Sequence, residues 1–177
     1  MDRRHPLPRR WMMTDERLGD ELAAKVAKLP RGSGVVFRQY ATPKGKRRRM
    51  FAQVRRIARA RRITLLIAGP FLPGGDGVHG KNARKSKGLA TRPVHSVRER
   101  IAAERAGVDA TFVSPVFATR SHPGARPLGR IRFAMLIRGA RLPVIALGAM
   151  TERRARTLPG IAGWAAIDAW ADGSKTR

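Results

Sequence analysis

The run Ala110-Thr111-Phe112-Val113-Ser114-Pro115-Val116-Phe117-Ala118-Thr119-Arg120-Ser121-His122-Pro123-Gly124 joins two kinds of sequence at one point. Ala110 to Val113 is a short apolar stretch of strand type, and proline and glycine then stop any regular structure. The following loop carries hydroxyls at Ser114, Thr119 and Ser121, cations at Arg120 and Arg126, and an imidazole at His122. That set can hold an anion and move a proton. Other predicted strands meet polar or tight-turn sequences in the same way, at Thr14-Asp15, Phe37-Arg38-Gln39, Asp76-Gly77-Val78-His79 and Leu147-Gly148-Ala149. Polar groups collected at the carboxyl ends of successive strands are how a parallel barrel builds its active site.

Working outward, strands and helices alternate. Trp11-Met12-Met13 reads as a first strand and Asp15 to Lys28 as a helix, with Leu18, Leu22, Ala23 and Val26 on one face and Pro30-Arg31-Gly32 after it. Val35-Val36-Phe37 is a second strand, and Gly45 to Arg62 a helix whose inner stripe is Met50, Phe51, Val54, Ile57 and Ala58. Ile63 to Ala68 is apolar throughout, as a strand buried on both faces should be. Gly69 to Gly75 stands where a helix is expected. Gly77 to His79 is a very short fourth strand, and Lys81 to Lys87 is too short and basic to assign as a helix. Leu89 to Thr91 is the fifth strand. The capping-box pattern Ser96-Val97-Arg98-Glu99 opens a helix that runs to Ala106 and ends at Gly107. Arg130 to Arg138, the strand Pro143 to Leu147, a helix Glu152 to Leu158 capped by Thr151, and the strand Gly163 to Ile167 complete the series. Eight strands with helices between most of them predict a short (β/α)8 TIM barrel with some helices reduced or missing. An open doubly wound sheet is the competing architecture, but no Gly-x-Gly-x-x-Gly or P-loop sequence supports it.

The chain is expected to fold as one domain over 11–170, with a basic tail at 1–10 and a short tail at 171–177. At 177 residues and 42% hydrophobic it can bury a real core, and no segment is long and apolar enough to cross a membrane. The absence of cysteine rules out disulfides and thiolate nucleophiles. The stretch Met1 to Arg10 lacks a signal peptide's apolar core, so a cytoplasmic location is expected.

A net charge of +26 would attract polyanions. Arg47, Arg48, Arg55, Arg56, Arg59 and Arg62 fall largely outside the inner stripe of the second helix, a pattern seen in membrane or nucleic-acid binders and equally in the outer helix of a barrel. The second reading is favoured. The cations are spread over many elements, and most of the few aromatics sit in apolar runs rather than forming stacking platforms. Nucleic acid is therefore an alternative partner that is not favoured. Phosphorylated small molecules suit the charge too.

The order and spacing of Met13-Thr14-Asp15, Val36-Phe37-Arg38-Gln39, Gly75-Asp76-Gly77-Val78-His79, His95-Ser96-Val97-Arg98-Glu99, Ala106-Gly107-Val108-Asp109, Ser114 to Thr119 and Pro143 to Ala149 resemble the family of thiamine phosphate synthase and its relative TenI, the thiazole tautomerase. The resemblance covers nearly the whole chain, from Trp11 to about Trp170. It implies a phosphate-binding barrel of thiamine biosynthesis. A synthase of that family joins a pyrimidine diphosphate to a thiazole phosphate with magnesium and releases pyrophosphate. The tautomerase isomerises a thiazole carboxylate phosphate by moving a proton.

By that resemblance several synthase residues are replaced. The glutamine and lysine flanking the second-strand arginine become Val36 and Tyr40. The Asn-Asp pair ending the third strand becomes Ala68-Gly69. The second magnesium aspartate gives way to Lys81-Asn82-Ala83-Arg84, the serine before the fifth-strand histidine to Pro93, and the last-strand serine to Asp168. Magnesium needs hard oxygen ligands, commonly one or two carboxylates with substrate phosphates, so no metal site is assigned, and magnesium is expected only if synthase activity is retained. Proton transfer asks for one titratable group near neutral pH. His122 is the catalytic candidate. Arg38, Thr119, Ser121, Gly148 and Ala149 are the phosphate- or substrate-binding candidates, with the start of the following helix adding its positive end. Arg38 is expected to form an ion pair at the barrel mouth, Asp15 being the candidate partner, and His79 and His95 to buttress the barrel. The chain thus reads as a diverged, tautomerase-like isomerase. The alternatives are an active synthase-like transferase and a non-catalytic barrel that binds phosphate or nucleic acid.

Overall fold

A computed structural model describes residues 6–119, 124 and 126–167. Eight parallel strands close on themselves in chain order: β1 (Arg10–Met13), β2 (Gly34–Phe37), β3 (Thr64–Ala68), β4 (Gly77–His79), β5 (Leu89–Val94), β6 (Ala110–Val113), β7 (Val144–Leu147) and β8 (Gly163–Ala166). Closure comes from β1 pairing with β8, Trp11 lying opposite Ala165. The helices are α1 (Leu22–Lys28), α2 (Lys44–Arg61), α3 (Val97–Arg105), α4 (Gly129–Ile137) and α5 (Glu152–Ala155). The short chain makes its barrel by omitting helices: the crossovers 69–76 and 80–88 hold none, and α5 is a single turn. The expected barrel is the observed one.

Strand alternation sorts the core into an inside and an outside. Trp11, Met13, Val36, Leu66, Ala68, Phe112, Ile145 and Ala165 pack together inside the ring, where Trp11 meets Phe112 edge to face at 5.4 Å. The alternate residues Met12, Val35, Phe37, Leu65 and Ile67 point outward onto α1 and α2 through Leu22, Val26, Phe51, Val54 and Ala58. On the other half, Phe133, Leu136, Ala103 and Trp164 belong to a third cluster, over β5 to β8.

Three elements differ from the sequence expectation by more than one residue at an end or within their length. The first helix is split into a 3-10 segment, Glu16–Glu21, and α1, because Gly19 leaves helical geometry at φ 46° and ψ −133°. β5 runs on past Thr91 to Val94 with Pro93 in register with Phe112. Proline's missing N–H argues against a strand interior, which is why the sequence reading stops early. The helix expected over Glu152 to Leu158 ends at Ala155, three residues before Leu158.

Strand starts share a device. The Asp76 N–H donates to the Leu65 carbonyl at 2.8 Å while its carboxylate accepts from the Leu65 N–H at 2.7 Å. Asp109 repeats this with Ala90, at 2.7 and 2.9 Å. Asp76 precedes β4 and so lies on the amino-terminal rim, away from the carboxyl-terminal end where the sequence grouping with His79 had set it.

Candidate functional site

The carboxyl-terminal rim is assembled by backbone-directed contacts. The Arg38 N–H donates to the Thr14 hydroxyl at 2.8 Å, and its Nε donates to the Thr14 carbonyl at 2.7 Å. Its Nη2 lies 3.5 Å from the Asp15 carboxylate. The expected pair therefore exists, and the guanidinium bolts the β1 loop to the β2 loop. Burial alone would raise the Asp15 pKa. The hydrogen bonds from Arg17 and the charges of Arg17 and Arg38 outweigh it and hold the carboxyl below its ordinary range.

His79, at the end of β4, is buried, with Nδ1 2.9 Å from the Thr91 hydroxyl and its ring edge to face with Phe112 at 4.8 Å. Burial pushes its pKa down to about 3, and the Arg38 charge adds to this. The imidazole is neutral at any physiological pH. His95 Nδ1 lies 2.7 Å from the Ser114 carbonyl, tying the end of β5 to the end of β6. Both histidines brace the barrel, as expected.

On the far side of the mouth, the β6 and β7 loops interlock. The Val116 N–H donates to the Leu147 carbonyl at 2.9 Å and the Phe117 N–H to the Gly148 carbonyl at 3.3 Å. Gly148 adopts φ 111°, and a Cβ there would come within 2.8 Å of the Val116 nitrogen. Only glycine fits this close crossing. Ala149 is left-handed at φ 46°, and its carbonyl accepts from Arg154, whose guanidinium covers the Phe117 ring at 4.7 Å. Thr119 follows two residues after Phe117. The structure thus brings Thr119, Gly148 and Ala149 to adjacent strand ends, with Arg38 on the same rim across β1 and β8. His122 and Ser121, with Arg120 and Asp168, lie outside the described residues. Because α5 has one turn, and Thr151 already accepts its Arg154 N–H, the helix-end contribution expected beside Gly148 is small.

The residues where a divalent ion would be held do not suit one. No cluster of three or more His, Cys, Asp or Glu exists among the described residues. At the end of β3, the carbonyls of Ala68 and Pro70 accept from Arg47 Nη2 and Nη1 at 3.0 and 2.9 Å. The Arg47 side chain is buried over the Phe37 ring. A cation already occupies the oxygen-rich end of β3, and the crossover after β4 offers Lys81-Asn82-Ala83-Arg84. Sequence reasoning had placed Arg47 on the outer face of its helix. Its contact with the β3 loop has no local sequence signal, because the partners are main-chain atoms.

Comparisons with known proteins agree with this architecture. A protein of Aquifex aeolicus named "Putative thiamine-phosphate synthase 2" is 28% identical over 82% of this chain and 87% of its own length. The thiamine phosphate pyrophosphorylase of Pyrococcus furiosus superposes with a TM-score of 0.77 at 22% identity, over 92% of this chain and 86% of that one. An N-acetylmannosamine-6-phosphate 2-epimerase from Clostridium perfringens shares the fold at a TM-score of 0.58 and 13% identity, over 96% of this chain and 92% of that one. The profile of the family described as thiamine monophosphate synthase (TMP-TENI) matches residues 75–170, more than half of the sequence. The chain belongs to the thiamine monophosphate synthase/TenI family, whose model spans β4 to β8.

Proposed function

We propose that this protein is a thiamine-biosynthesis enzyme of the family that binds a thiazole phosphate and moves a proton on it, in the manner of the tautomerase. The observation that carries this reading is the end of β3, where the carbonyls of Ala68 and Pro70 are committed to the Arg47 guanidinium. Ionising a pyrimidine diphosphate needs strong stabilisation of the leaving group, and the described residues at the end of β3 offer no carboxylate there and turn two carbonyls to a guanidinium. Proton transfer needs only a base within reach of the bound ring.

In this reading Gly148, Ala149, Thr119 and Ser121 receive the phosphate through backbone N–H and hydroxyl groups, Arg38 fixes the opposite lip, and His122 takes and returns the proton. His79, buried and with its pKa pushed down to about 3, is too weak a base for this role. Phosphorylated thiazole is the partner. The cytoplasm is the proposed location, and among the described residues no helix is long and apolar enough to cross a membrane.

The test is turnover of the thiazole carboxylate phosphate tautomer, followed by proton NMR in chelator-treated buffer. Activity that survives chelation and is lost in His122→Ala supports the reading. Magnesium-dependent formation of thiamine phosphate from the two synthase substrates would replace it with the synthase assignment.

A further inference from the structure

α2 and the rim beside it form a surface that the small-molecule site does not explain. Half of the residues of α2 are Lys or Arg, and none is acidic. Its inner stripe of Phe51, Val54 and Ala58 accounts for the amphipathic pattern. On a solvated helix face, i,i+4 pairs of opposite charge add stability. Here Arg48, Arg49, Arg56 and Arg59 are all exposed, and none has an ion-pair partner among the described residues. Like charges this close repel one another, an arrangement that is relieved when an anion sits across them. From Arg48 to Arg59 the row extends about 16 Å along the helix, longer than one phosphate group can use. The crossover 80–88, two strands further round, is basic too and has no acidic side chain.

The second observation is aromatic. Tyr40 is 57% exposed and Phe71 79% exposed, and they are the exposed large aromatics among the described residues. Both stand at the mouth end of α2. The Tyr40 ring lies so close to Gly69 that a Cβ there would fall within 2.9 Å of it, and Phe71 is two residues further on. Arg47 and Arg55 bind the carbonyls of the same loop at Ala68, Pro70 and Pro73, which fixes the platform to the helix. Most of the aromatics among the described residues are buried, in keeping with the sequence, and these two are the exposed ones.

Exposed rings beside a one-signed row of cations are the parts with which proteins hold single-stranded nucleic acid, bases on the rings and phosphates on the cations. α2 exposes no large apolar side chain for a lipid surface; its exposed apolar positions are Ala52 and Ala60. We infer that Tyr40, Phe71 and the arginine row of α2 bind single-stranded nucleic acid without reading its sequence. The strand passes its bases over the two rings at the rim and runs its backbone down the outside of the barrel. This surface is separate from the Thr119–Gly148 side of the mouth and stands whether or not the enzymatic reading holds.

The experiment is fluorescence anisotropy of the full chain with a labelled oligothymidylate of about 16 nucleotides, titrated over a range of salt. Affinity should fall linearly in log–log terms, with a slope of about −0.7 per phosphate engaged. Arg48→Glu/Arg56→Glu/Arg59→Glu should flatten that slope and weaken binding by at least about tenfold. The control Arg130→Glu/Arg132→Glu/Arg153→Glu, with the same change in net charge, should bind much as the native chain does. Phe71→Ala should weaken oligothymidylate about tenfold while leaving heparin binding, which involves no bases, unchanged. Circular dichroism melts verify that each variant is folded. Equal loss in both triple variants, a Phe71→Ala chain that binds as well as the native one, or tighter binding to anionic vesicles than to the oligonucleotide would each overturn the inference.

Discussion

Arg47 Nη2 donates to the Ala68 carbonyl at 3.0 Å from a side chain that is only 5% exposed. A guanidinium on the first turn of α2 thereby closes the end of β3, where the crossover has no helix of its own to hold it. Burial lowers the Arg47 pKa, though it starts so high that the charge stays. Charge-assisted bonds to two carbonyls offset the desolvation.

Replacing Arg47 with methionine keeps much of the volume and removes both bonds. Hydrogen bonds to charged groups contribute about 1.5–3 kcal/mol, and the stranded carbonyls add to the loss. The expected result is a destabilisation of about 2–4 kcal/mol by urea unfolding, with the 69–76 segment exchanging its amides faster than the rest of the barrel. An unchanged urea midpoint would show that the loop is held by something other than this arginine.

His79 makes a second prediction, with a definite sign. Its folded pKa is about 3 against an ordinary value near 6.5. Between those two values the unfolded chain binds a proton that the folded chain refuses. Stability therefore falls as pH drops from about 6.5 towards 3, and the group contributes no pH dependence above that window. In proton NMR the His79 ring signals should stay flat from neutral pH to the onset of acid unfolding. His79→Gln should reduce the acid sensitivity of the urea midpoint. A ring titration centred near 6.5 would mean that the imidazole is hydrated rather than sealed against Phe112.

Gly148 carries the third. An alanine there would combine φ 111° with a Cβ 2.8 Å from the Val116 nitrogen and 2.9 Å from Pro115 Cα. Both opposing atoms are backbone, so neither can rotate away. Gly148→Ala should cost about 2–3 kcal/mol and should separate the β6 and β7 loops. If these loops share the phosphate, inorganic phosphate should raise the melting temperature of the native chain and not that of the variant. A variant that melts and binds like the native chain would remove Gly148 from both roles.

Much of this could be read from the sequence because the information was local. A continuous apolar run such as Leu65 to Ala68, a capping box at Ser96 to Glu99, and Pro-Gly punctuation each act over a few residues, and the strands they predict are those that form. What was not legible depends on contacts between distant main-chain atoms. The reach of Arg47 to Ala68 and Pro70 is one case. The exposure of Phe71, inside a stretch that reads only as a loop rich in Gly and Pro, is another. Gly19, too, reads as an ordinary position in a helical pattern until its backbone is seen to leave the helix. On the rim, the pairing of Arg38 with Asp15 was legible because both follow adjacent strands of a parallel ring, which brings their loops together.

The paired carboxylates of the amino-terminal rim give the last prediction. Asp76 and Asp109 each accept from the N–H of a residue one strand back, Leu65 and Ala90, while donating their own N–H to the same residue's carbonyl. The carboxylate fills a backbone partner missing where the strand's ladder begins, so its value lies in an acceptor oxygen and not mainly in its charge. Asp76→Ala leaves the buried Leu65 N–H without that acceptor and should cost about 1–3 kcal/mol. Asp76→Asn keeps an oxygen able to accept and should cost less than half as much. The same ordering is expected at position 109. Because both residues lie on the rim opposite the candidate site, the proposed turnover per folded molecule should be unchanged in all four variants. If the asparagine variants were as unstable as the alanine ones, the negative charge would be the stabilising element, and the stability difference would then shrink with added salt.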